Sequence, residues 1–338
     1  MENVMIDKVA VIGAGSWGCA LARILGDNGH DVMLYDVDKE AIEEINLYHT
    51  NKAKLHEGVL PLNVKGTTCL EEAIKWCNIV LLVVPTKVVR NVLKNINEYL
   101  VDKKIFVNAS KGIEPDTYKR VSEIVYEEIN NDYIEGFVAL TGPSHAEEVI
   151  LQKLTSIAAA SDNEDLAKKV QKIFSNNVYF RVYRVLDLIG AELGGSLKNV
   201  YAIAAGICDG LGYGVNSRSA LVTRGLSEMK KLAIAMGAKE ETLNGLTGVG
   251  DLIVTCTSNL SRNYQAGIKL AKGSNLEETL DSMPMVVEGA RTCISAYQAA
   301  RKLGIETPII DAIYNVIYNK KDPKDEIKIL MSRNLKEE

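Results

Sequence analysis

The stretch of sequence that decides the fold is residues 8–18, KVAVIGAGSWG. A short apolar run typical of a buried strand leads directly into the glycine pattern G-x-G-x-x-G, and a helical pattern follows. Gly13 suits the tight turn, Gly15 leaves room for a pyrophosphate to approach the backbone, and Gly18 allows the helix to pack on the strand. The N–H groups at the start of that helix would bind the anion. The motif predicts a dinucleotide-binding site; a tight turn without a ligand is the alternative.

Asp36 ends the second predicted strand and bears on the choice of dinucleotide. An acid at this place accepts hydrogen bonds from the adenosine 2′-hydroxyl and repels a 2′-phosphate. The next residue is Val37 rather than Arg, and the nearest base is Lys39. The pattern therefore favours NAD over NADP, whereas a solvated carboxylate at a strand end is the alternative for Asp36 alone.

Beyond this motif, the first half of the chain alternates apolar runs with helical patterns. Strands are predicted at residues 8–12, 31–35, 79–84, 104–108 and 137–140, with two more, 156–160 and 178–182, at the edge of the same sheet. Helices are predicted between them, at residues 17–28, 39–46, 70–75, 86–99, 118–129 and 163–174. Such alternation predicts a doubly wound, largely parallel α/β sheet.

The pattern of apolar and polar residues changes near residue 187. Helical periodicity replaces strand-like runs, with helices predicted at residues 190–209, 217–236, 262–272, 276–281, 287–303 and 308–318. Gly237, Gly273 and Gly304 lie just past predicted helix ends, where glycine is the common stop signal. We therefore expect a dinucleotide-binding domain over residues 1–187 and an all-helical domain over residues 188–338.

Composition excludes several classes of protein. The 338 residues carry a net charge of −5, so no basic excess indicates a nucleic-acid partner. The longest stretch without a charged residue, residues 9–22, is too short to cross a bilayer, and the acidic N-terminus does not resemble a secretory signal. The six cysteines form no C-x-x-C pair and no metal-ligand pattern with the four histidines. We therefore expect reduced thiols in a cytoplasmic protein without a metal.

Polar segments follow three of the predicted strands, at residues 85–86, 110–112 and 141–144. Ligands of doubly wound sheets bind beyond the carboxyl ends of the strands. Turn chemistry explains the glycines and proline of these segments, but it does not explain Lys111. Lys111 is either a cation placed for a substrate or a solvated surface lysine.

The helical half offers further candidates for chemistry. Lys198 stands in a stretch of small and apolar residues, where it either extends its amine outward or turns it into a site. A partly desolvated lysine has a lowered pKa and can exchange protons near neutral pH, and Asp251 could orient it. Arg262 follows Ser261 at a predicted helix start, which is a natural phosphate clamp. The alternative there is a Ser N-cap beside an exposed arginine.

Taken together, these segments resemble the bacterial type of NAD(P)-dependent glycerol-3-phosphate dehydrogenase. The matching stretches occur in the family's order and run through nearly the whole chain: VIGAGSWGCALA (11–22), ASKGIE (109–114), TGPSHAEEV (141–149), ELGGSLKNVYAIAAGICDG (192–210), TRGLSEM (223–229), LTGVGDLIVTCT (246–257), SRN (261–263) and VVEGART (286–292). The departures are modest, since Val37 replaces a residue that is basic in many members, Cys19 replaces a common Thr, and residues 215–218 differ from the usual loop.

The resemblance implies a Rossmann-type sheet followed by an all-helical domain like the C-terminal one of 6-phosphogluconate dehydrogenase. It implies hydride transfer between the dinucleotide and dihydroxyacetone phosphate, with Lys198 as proton donor and acceptor. The implied substrate-binding residues are Lys111, Gly142, Ser144, Asp251, Ser261, Arg262 and Asn263. The implied cofactor contacts are Ser16, Trp17, Lys111, Ala146, Arg262, Val286 and Glu288, beside Gly13, Gly15, Gly18, Asp36 and Val37 from the motif. We expect a homodimer.

Two alternatives remain at this stage. Another two-domain dehydrogenase, of the 6-phosphogluconate or hydroxy-acid type, also carries a Lys-Asn pair on its first C-terminal helix, but it is not expected to combine that pair with residues 109–114 and 261–263. A non-catalytic, redox-sensing NAD-binding regulator would show a DNA-binding helix pair or a degenerate catalytic lysine, and neither is evident in the sequence.

The strand end at Asp36 yields a first prediction. A 2′-phosphate there would face a carboxylate, and like charges near a surface cost on the order of 1–4 kcal/mol. We expect NADH to be preferred over NADPH by about tenfold in kcat/KM. Combining Asp36→Ala with Val37→Arg should reverse the preference, because it removes the repulsion and adds a forked donor. A parent enzyme that prefers NADPH would contradict this and point to Lys39 as the governing base.

Overall fold

The computed structural model describes residues 6–283, 287–335 and 337. The chain forms two compact units. The first comprises the residues up to Lys111 together with Arg120–Ala191, and the second comprises Gly112–Lys119 together with the residues from Glu192 onward. We call them the sheet unit and the helical unit.

The sheet unit contains one eight-stranded sheet in the order β3-β2-β1-β4-β5-β6-β7-β8. Its strands are β1 (Lys8–Ile12), β2 (Asp31–Tyr35), β3 (Val64–Thr67), β4 (Ile79–Leu82), β5 (Lys104–Asn108), β6 (Ile134–Thr141), β7 (Thr155–Ala160) and β8 (Phe180–Val185). Its helices are α1 (Ser16–Asp27), α2 (Lys39–Tyr48), α3 (Leu70–Trp76), α4 (Thr86–Tyr99), α5 (Val121–Glu128), α6 (Ala146–Val149) and α7 (Glu164–Phe174). All strand pairs are parallel except β6 with β7. The order of strands reverses between β1 and β4, which is where such sheets bind ligands.

Burial on both faces explains why the central strands read as continuous apolar runs. Along β1, Val9 and Val11 belong to the core on one face, and Ala10 and Ile12 belong to the core on the other face. Helices cover each face with apolar stripes; on α4 the stripe includes Val89, Leu93 and Ile96.

The predicted parallel sheet and its two edge strands are confirmed, and several local bounds differ from the structure. Strand β4 ends at Leu82 rather than at residue 84, and β6 begins at Ile134 rather than at residue 137. Strand β3 was not predicted because its sequence, VKGT, has little apolar character; it forms as an edge strand paired with β2. Strand β8 extends to Val185, beyond the predicted end. The helix predicted from residue 118 begins at Val121, since Tyr118 has φ +59°, outside the helical region.

The helical unit contains no strand among its described residues, which confirms the all-helical prediction. Its helices are α8 (Leu188–Gly210), α9 (Gly214–Ala235), α10 (Glu240–Leu243), α11 (Asp251–Thr257), α12 (Arg262–Ala271), α13 (Leu276–Asp281), α14 (Glu288–Leu303), α15 (Pro308–Tyr318) and α16 (Pro323–Met331), with a π-helical turn at Leu246–Gly250. The boundary between the units falls inside α8, after Ala191. Helices α10, α11 and α16 were not predicted. No described helix combines the length and the apolar character needed to cross a bilayer.

Two glycines of α8 bring other elements close to its backbone. A Cβ on Gly206 would lie 2.0 Å from the carbonyl oxygen of Tyr264 on α12. A Cβ on Gly194 would lie 2.4 Å from the carbonyl oxygen of Thr247 in the π-helical turn. Because neither position tolerates a side chain, α12 and the turn before α11 can approach α8 closely. This approach sets the position of α11 and α12 beside Lys198.

Candidate active site

The three glycines of the loop between β1 and α1 have different surroundings. Gly13 has φ +115°, which side chains rarely adopt, and a Cβ on Gly18 would lie 1.9 Å from the carbonyl oxygen of Gly13. Gly15 caps α1, and a Cβ there would meet no heavy atom within 4 Å. The fold of this unit therefore requires Gly13 and Gly18, whereas the space above Gly15 is open.

This open space lies at the start of α1 and leaves room for an anion to approach the backbone. The first turn of α1 contains no acidic residue, so its N–H groups and dipole present positive potential to an anion. Asp36 lies in the turn that follows β2, and the neighbouring Val37 is 79% exposed. The sequence motif predicts a pyrophosphate over Gly15 and a ribose near Asp36.

Three side chains, two of them from outside the motif, hold the glycine loop in place. Asp36 Oδ2 accepts a hydrogen bond from the backbone N–H of Ala14 at 2.6 Å. Asn51 Nδ2 donates to the carbonyl oxygen of Ala14 at 2.8 Å, and Ser16 Oγ donates to the carbonyl oxygen of Lys54 at 2.8 Å. Asp36 thus supports the loop in addition to any role toward the cofactor, and removing its carboxylate would also loosen the loop.

The remaining predicted cofactor contacts occupy varied positions. Trp17 is partly buried against the core, and Ala146 is buried at the start of α6. Glu288 begins α14 in the helical unit and is half-buried. Val286 lies outside the described residues.

Lys111, Gly142 and Ser144 form one polar cluster beyond the ends of β5 and β6. The Nζ of Lys111 and the Oγ of Ser144 each donate to the carbonyl oxygen of Gly142, both at 3.1 Å. Gly142 has φ +144°, and a Cβ there would lie 3.0 Å from the Cα of Ile157. Lys111 is half-buried, and its amine is held by the carbonyl oxygen of Gly142.

Lys198 is turned into the helical unit, where it forms a buried cluster with Asp251 and Thr255. Its Nζ forms an ion pair with Asp251 Oδ1 and donates to Thr255 Oγ1 at 2.8 Å. Lys198 is 5% exposed and Asp251 is fully buried, so the outward-extended alternative is wrong. The Thr255 hydroxyl donates its own proton to the carbonyl oxygen of Asp251, which leaves its oxygen to accept from Nζ.

The neighbouring Asn199 belongs to a second buried network. Asn263 Nδ2 donates to Asn199 Oδ1 at 2.9 Å, and Asn263 Oδ1 accepts from the N–H of Gly289 at 2.8 Å. Asn263 therefore ties together α8, α12 and the start of α14.

Ser261 caps α12, because its Oγ accepts from the N–H of Tyr264 at 3.3 Å. Ser261 therefore has the N-cap role that the sequence left open as an alternative. Arg262, the first residue of α12, is half-buried rather than fully exposed. The described residues contain no group of three or more His, Cys, Asp or Glu side chains that could hold a metal ion.

The sequence interpretation missed two residues that the structure places in the site. Thr255 lies one turn after Asp251 on α11, and the spacing of four would have indicated it had that short helix been predicted. Asn51 comes from an irregular loop, and no sequence pattern connects it with Ala14.

Gly15 and Gly18 allow a matched test of the loop. Gly15→Ala should leave the free energy of unfolding of the ligand-free protein within about 1 kcal/mol of the parent, because the new methyl group meets open space. It should weaken NADH binding at least about tenfold, because the methyl group occupies the place of the pyrophosphate. Gly18→Ala should instead destabilise the protein by about 1–3 kcal/mol or more. Thermal unfolding and fluorescence titration with NADH measure both effects; undiminished NADH binding by Gly15→Ala would contradict the assignment.

Comparison with known proteins places this geometry in a family. The model of the NAD-dependent glycerol-3-phosphate dehydrogenase N-terminus matches residues 8–167, and that of the C-terminus matches residues 187–328. A curated relative from Geobacillus kaustophilus, named glycerol-3-phosphate dehydrogenase (NAD(P)+), is 51% identical over 98% of this chain and 96% of its own. A relative of the same name from Lysinibacillus sphaericus is 49% identical over 98% of both chains.

A solved structure agrees with these matches. The crystal structure of glycerol-3-phosphate dehydrogenase from Coxiella burnetii has a TM-score of 0.92 and 33% identity, covering 97% of this chain and 99% of its own. The chain therefore belongs to the NAD-dependent glycerol-3-phosphate dehydrogenase family.

Proposed function

We propose that Lys198 is the acid and base of the reaction that this enzyme catalyses, the interconversion of dihydroxyacetone phosphate and sn-glycerol 3-phosphate by hydride transfer with NAD(H) or NADP(H). The observation that carries the proposal is the buried cluster of Lys198, Asp251 and Thr255. A buried lysine needs a partner for its charge, and a partnered lysine with a fixed orientation suits proton transfer.

The two partners of Lys198 divide the work of orienting it. The Asp251 carboxylate stabilises the ammonium form, and the Thr255 oxygen accepts a second N–H. Together they fix the orientation of the ammonium group, so that no reorganisation is needed when charge develops on the substrate.

The proton follows a simple path in each direction. In reduction, hydride addition to the carbonyl carbon leaves an alkoxide on the substrate, and Lys198 Nζ donates the proton that neutralises it. In oxidation, Nζ accepts the proton of the C2 hydroxyl as the hydride departs. The dinucleotide supplies or accepts the hydride.

We assign the other predicted residues to positioning the substrate. Lys111 adds a second positive charge, held in place by the carbonyl oxygen of Gly142. Arg262, at the start of α12, is the proposed anchor of the substrate phosphate, since a guanidinium binds phosphate oxygens in pairs. The remaining proposed substrate ligands are Gly142, Ser144, Asp251, Ser261 and Asn263. Binding the distant phosphate would position the reacting carbon.

The proposed roles divide along the chain. Residues 1–187 hold the dinucleotide through Gly13, Gly15, Ser16, Trp17 and Gly18, with Asp36 and Val37 toward the adenosine ribose. Residues 188–338 supply the side chain that transfers the proton and those that bind the substrate phosphate. Lys111, Ala146, Arg262, Val286 and Glu288 complete the proposed cofactor contacts.

We further propose a homodimer that works in the cytoplasm and supplies glycerol 3-phosphate for phospholipid synthesis. The six cysteines are free thiols, five of them buried, which suits a reducing compartment. Val215 and Met331 of the helical unit are exposed apolar side chains, of the kind that a subunit interface would bury. Analytical ultracentrifugation measures the assembly.

Replacement of Lys198 tests the central assignment. Lys198→Ala should lower kcat by about two to four orders of magnitude, the usual contribution of general acid–base catalysis. NADH binding should survive, because the glycine loop is untouched. The matched control is Lys231→Ala, an exposed lysine of α9, which should keep full activity. A folded Lys198→Ala enzyme with more than about a tenth of parental kcat would refute the role.

Replacement of Arg262 tests the phosphate anchor. Arg262→Ala should lower kcat/KM for dihydroxyacetone phosphate by about a hundredfold or more, because a charged hydrogen bond to phosphate is lost. The activity on unphosphorylated dihydroxyacetone, already poor, should hardly change. Steady-state kinetics with both substrates decide the matter; equal losses would show that Arg262 does not bind the phosphate.

A further inference from the structure

The stretch TRGLSEM, residues 223–229, is one of those that resemble the family, but it has no part in the chemistry described so far. It lies on α9 and contains a buried acid, Glu228, which is 5% exposed. A buried carboxylate is costly unless several donors reach it, so its partners indicate what it does.

Glu228 receives three hydrogen bonds from two other helices. Oε2 accepts from the N–H of Ile309 at 2.9 Å, and Oε1 accepts from the N–H of Ile310 at 3.0 Å, both in the first turn of α15. Oε1 also accepts from the hydroxyl of Tyr201 on α8 at 3.3 Å. One side chain of α9 therefore caps α15 and holds α8.

Tyr201 links this carboxylate to α8, the helix that carries Lys198. It lies three residues after Lys198, which places both side chains on the same face of α8. Its ring is fully buried and rests against α9 at Gly225, where a Cβ would lie 2.8 Å from the ring.

We propose that Glu228 is a positioning residue for Lys198: through Tyr201 it fixes the turn of α8 that presents the amine to Asp251 and Thr255. The proposal rests on the catalytic role proposed for Lys198. It also accounts for two residues of the 223–229 stretch, since Gly225 makes room for the Tyr201 ring and Glu228 accepts a hydrogen bond from the Tyr201 hydroxyl.

The charge state of Glu228 gives the proposal a distinctive signature. Burial raises its pKa to about 7, and the N–H groups of Ile309 and Ile310 oppose that rise. The groups facing it are the Tyr201 hydroxyl on α8 and, on α15, the Asp311 carboxylate, which pairs with Arg301 of α14. Only the ionised carboxylate offers both oxygens as acceptors to all three donors. Positioning should therefore weaken as the pH falls through about 7.

The test compares Glu228→Gln and Tyr201→Phe with the parent enzyme. Each variant should lower kcat at pH 8 about tenfold, the effect of a slight misplacement of a catalytic group, and should change KM for NADH less than about threefold. The parental kcat should rise through about pH 7, and this rise should be absent from both variants. The matched control is Glu241→Gln, an exposed acid of α10, which should behave like the parent.

The double variant separates positioning from general loss of stability. If Glu228 acts through Tyr201, the double variant should lose no more kcat than the more affected single variant. Multiplicative losses, or an unchanged kcat in the folded fraction of either single variant, would overturn the proposal. Should Glu228→Gln fail to fold, Tyr201→Phe, which removes one hydroxyl group, decides alone. An active Lys198→Ala would refute the proposed function, whereas an inactive Lys198→Ala beside fully active Glu228→Gln and Tyr201→Phe would refute only this inference.

Discussion

The buried ion pair between Lys198 and Asp251 is the constraint on which the helical unit depends. Desolvating an ammonium and a carboxylate costs several kcal/mol per ion, and only close, well-oriented partners repay it. The pair requires α11 to begin beside the middle of α8, and Gly194 permits this by leaving space for the turn that precedes Asp251. A long, small-residue helix is therefore the support of the chemistry, and its apolar composition follows from its burial.

In the sheet unit, too, glycines allow other groups to approach the backbone closely. The backbone conformation at Gly13 and the close packing at Gly18 require glycine, whereas no contact within the protein requires glycine at position 15. A glycine without a structural reason points to a ligand that approaches the backbone. The open space over Gly15 thus connects the sequence motif with the dinucleotide chemistry of the family.

The sequence predicted most of the fold and part of the candidate site, for identifiable reasons. Central strands and long amphipathic helices were predictable because burial imposes a periodicity on them, as in β1 and α4. Strand β3 and helix α11 were not, since the first depends on backbone pairing at an edge and the second is too short to show a period. Lys198 and Asp251 stood out as charges among small residues, but Thr255 and Asn51 act through contacts between segments distant in the sequence.

The double engagement of Asp36 has a consequence for how such enzymes can diverge. Its carboxylate accepts the N–H of Ala14, which holds the glycine loop, and we propose that it also faces the adenosine ribose. Under that proposal, a lineage that changes this residue alters cofactor selection and loop rigidity in a single step. Gradual divergence should therefore proceed first through the exposed Val37, whose side chain is 79% accessible and can be exchanged without disturbing the loop.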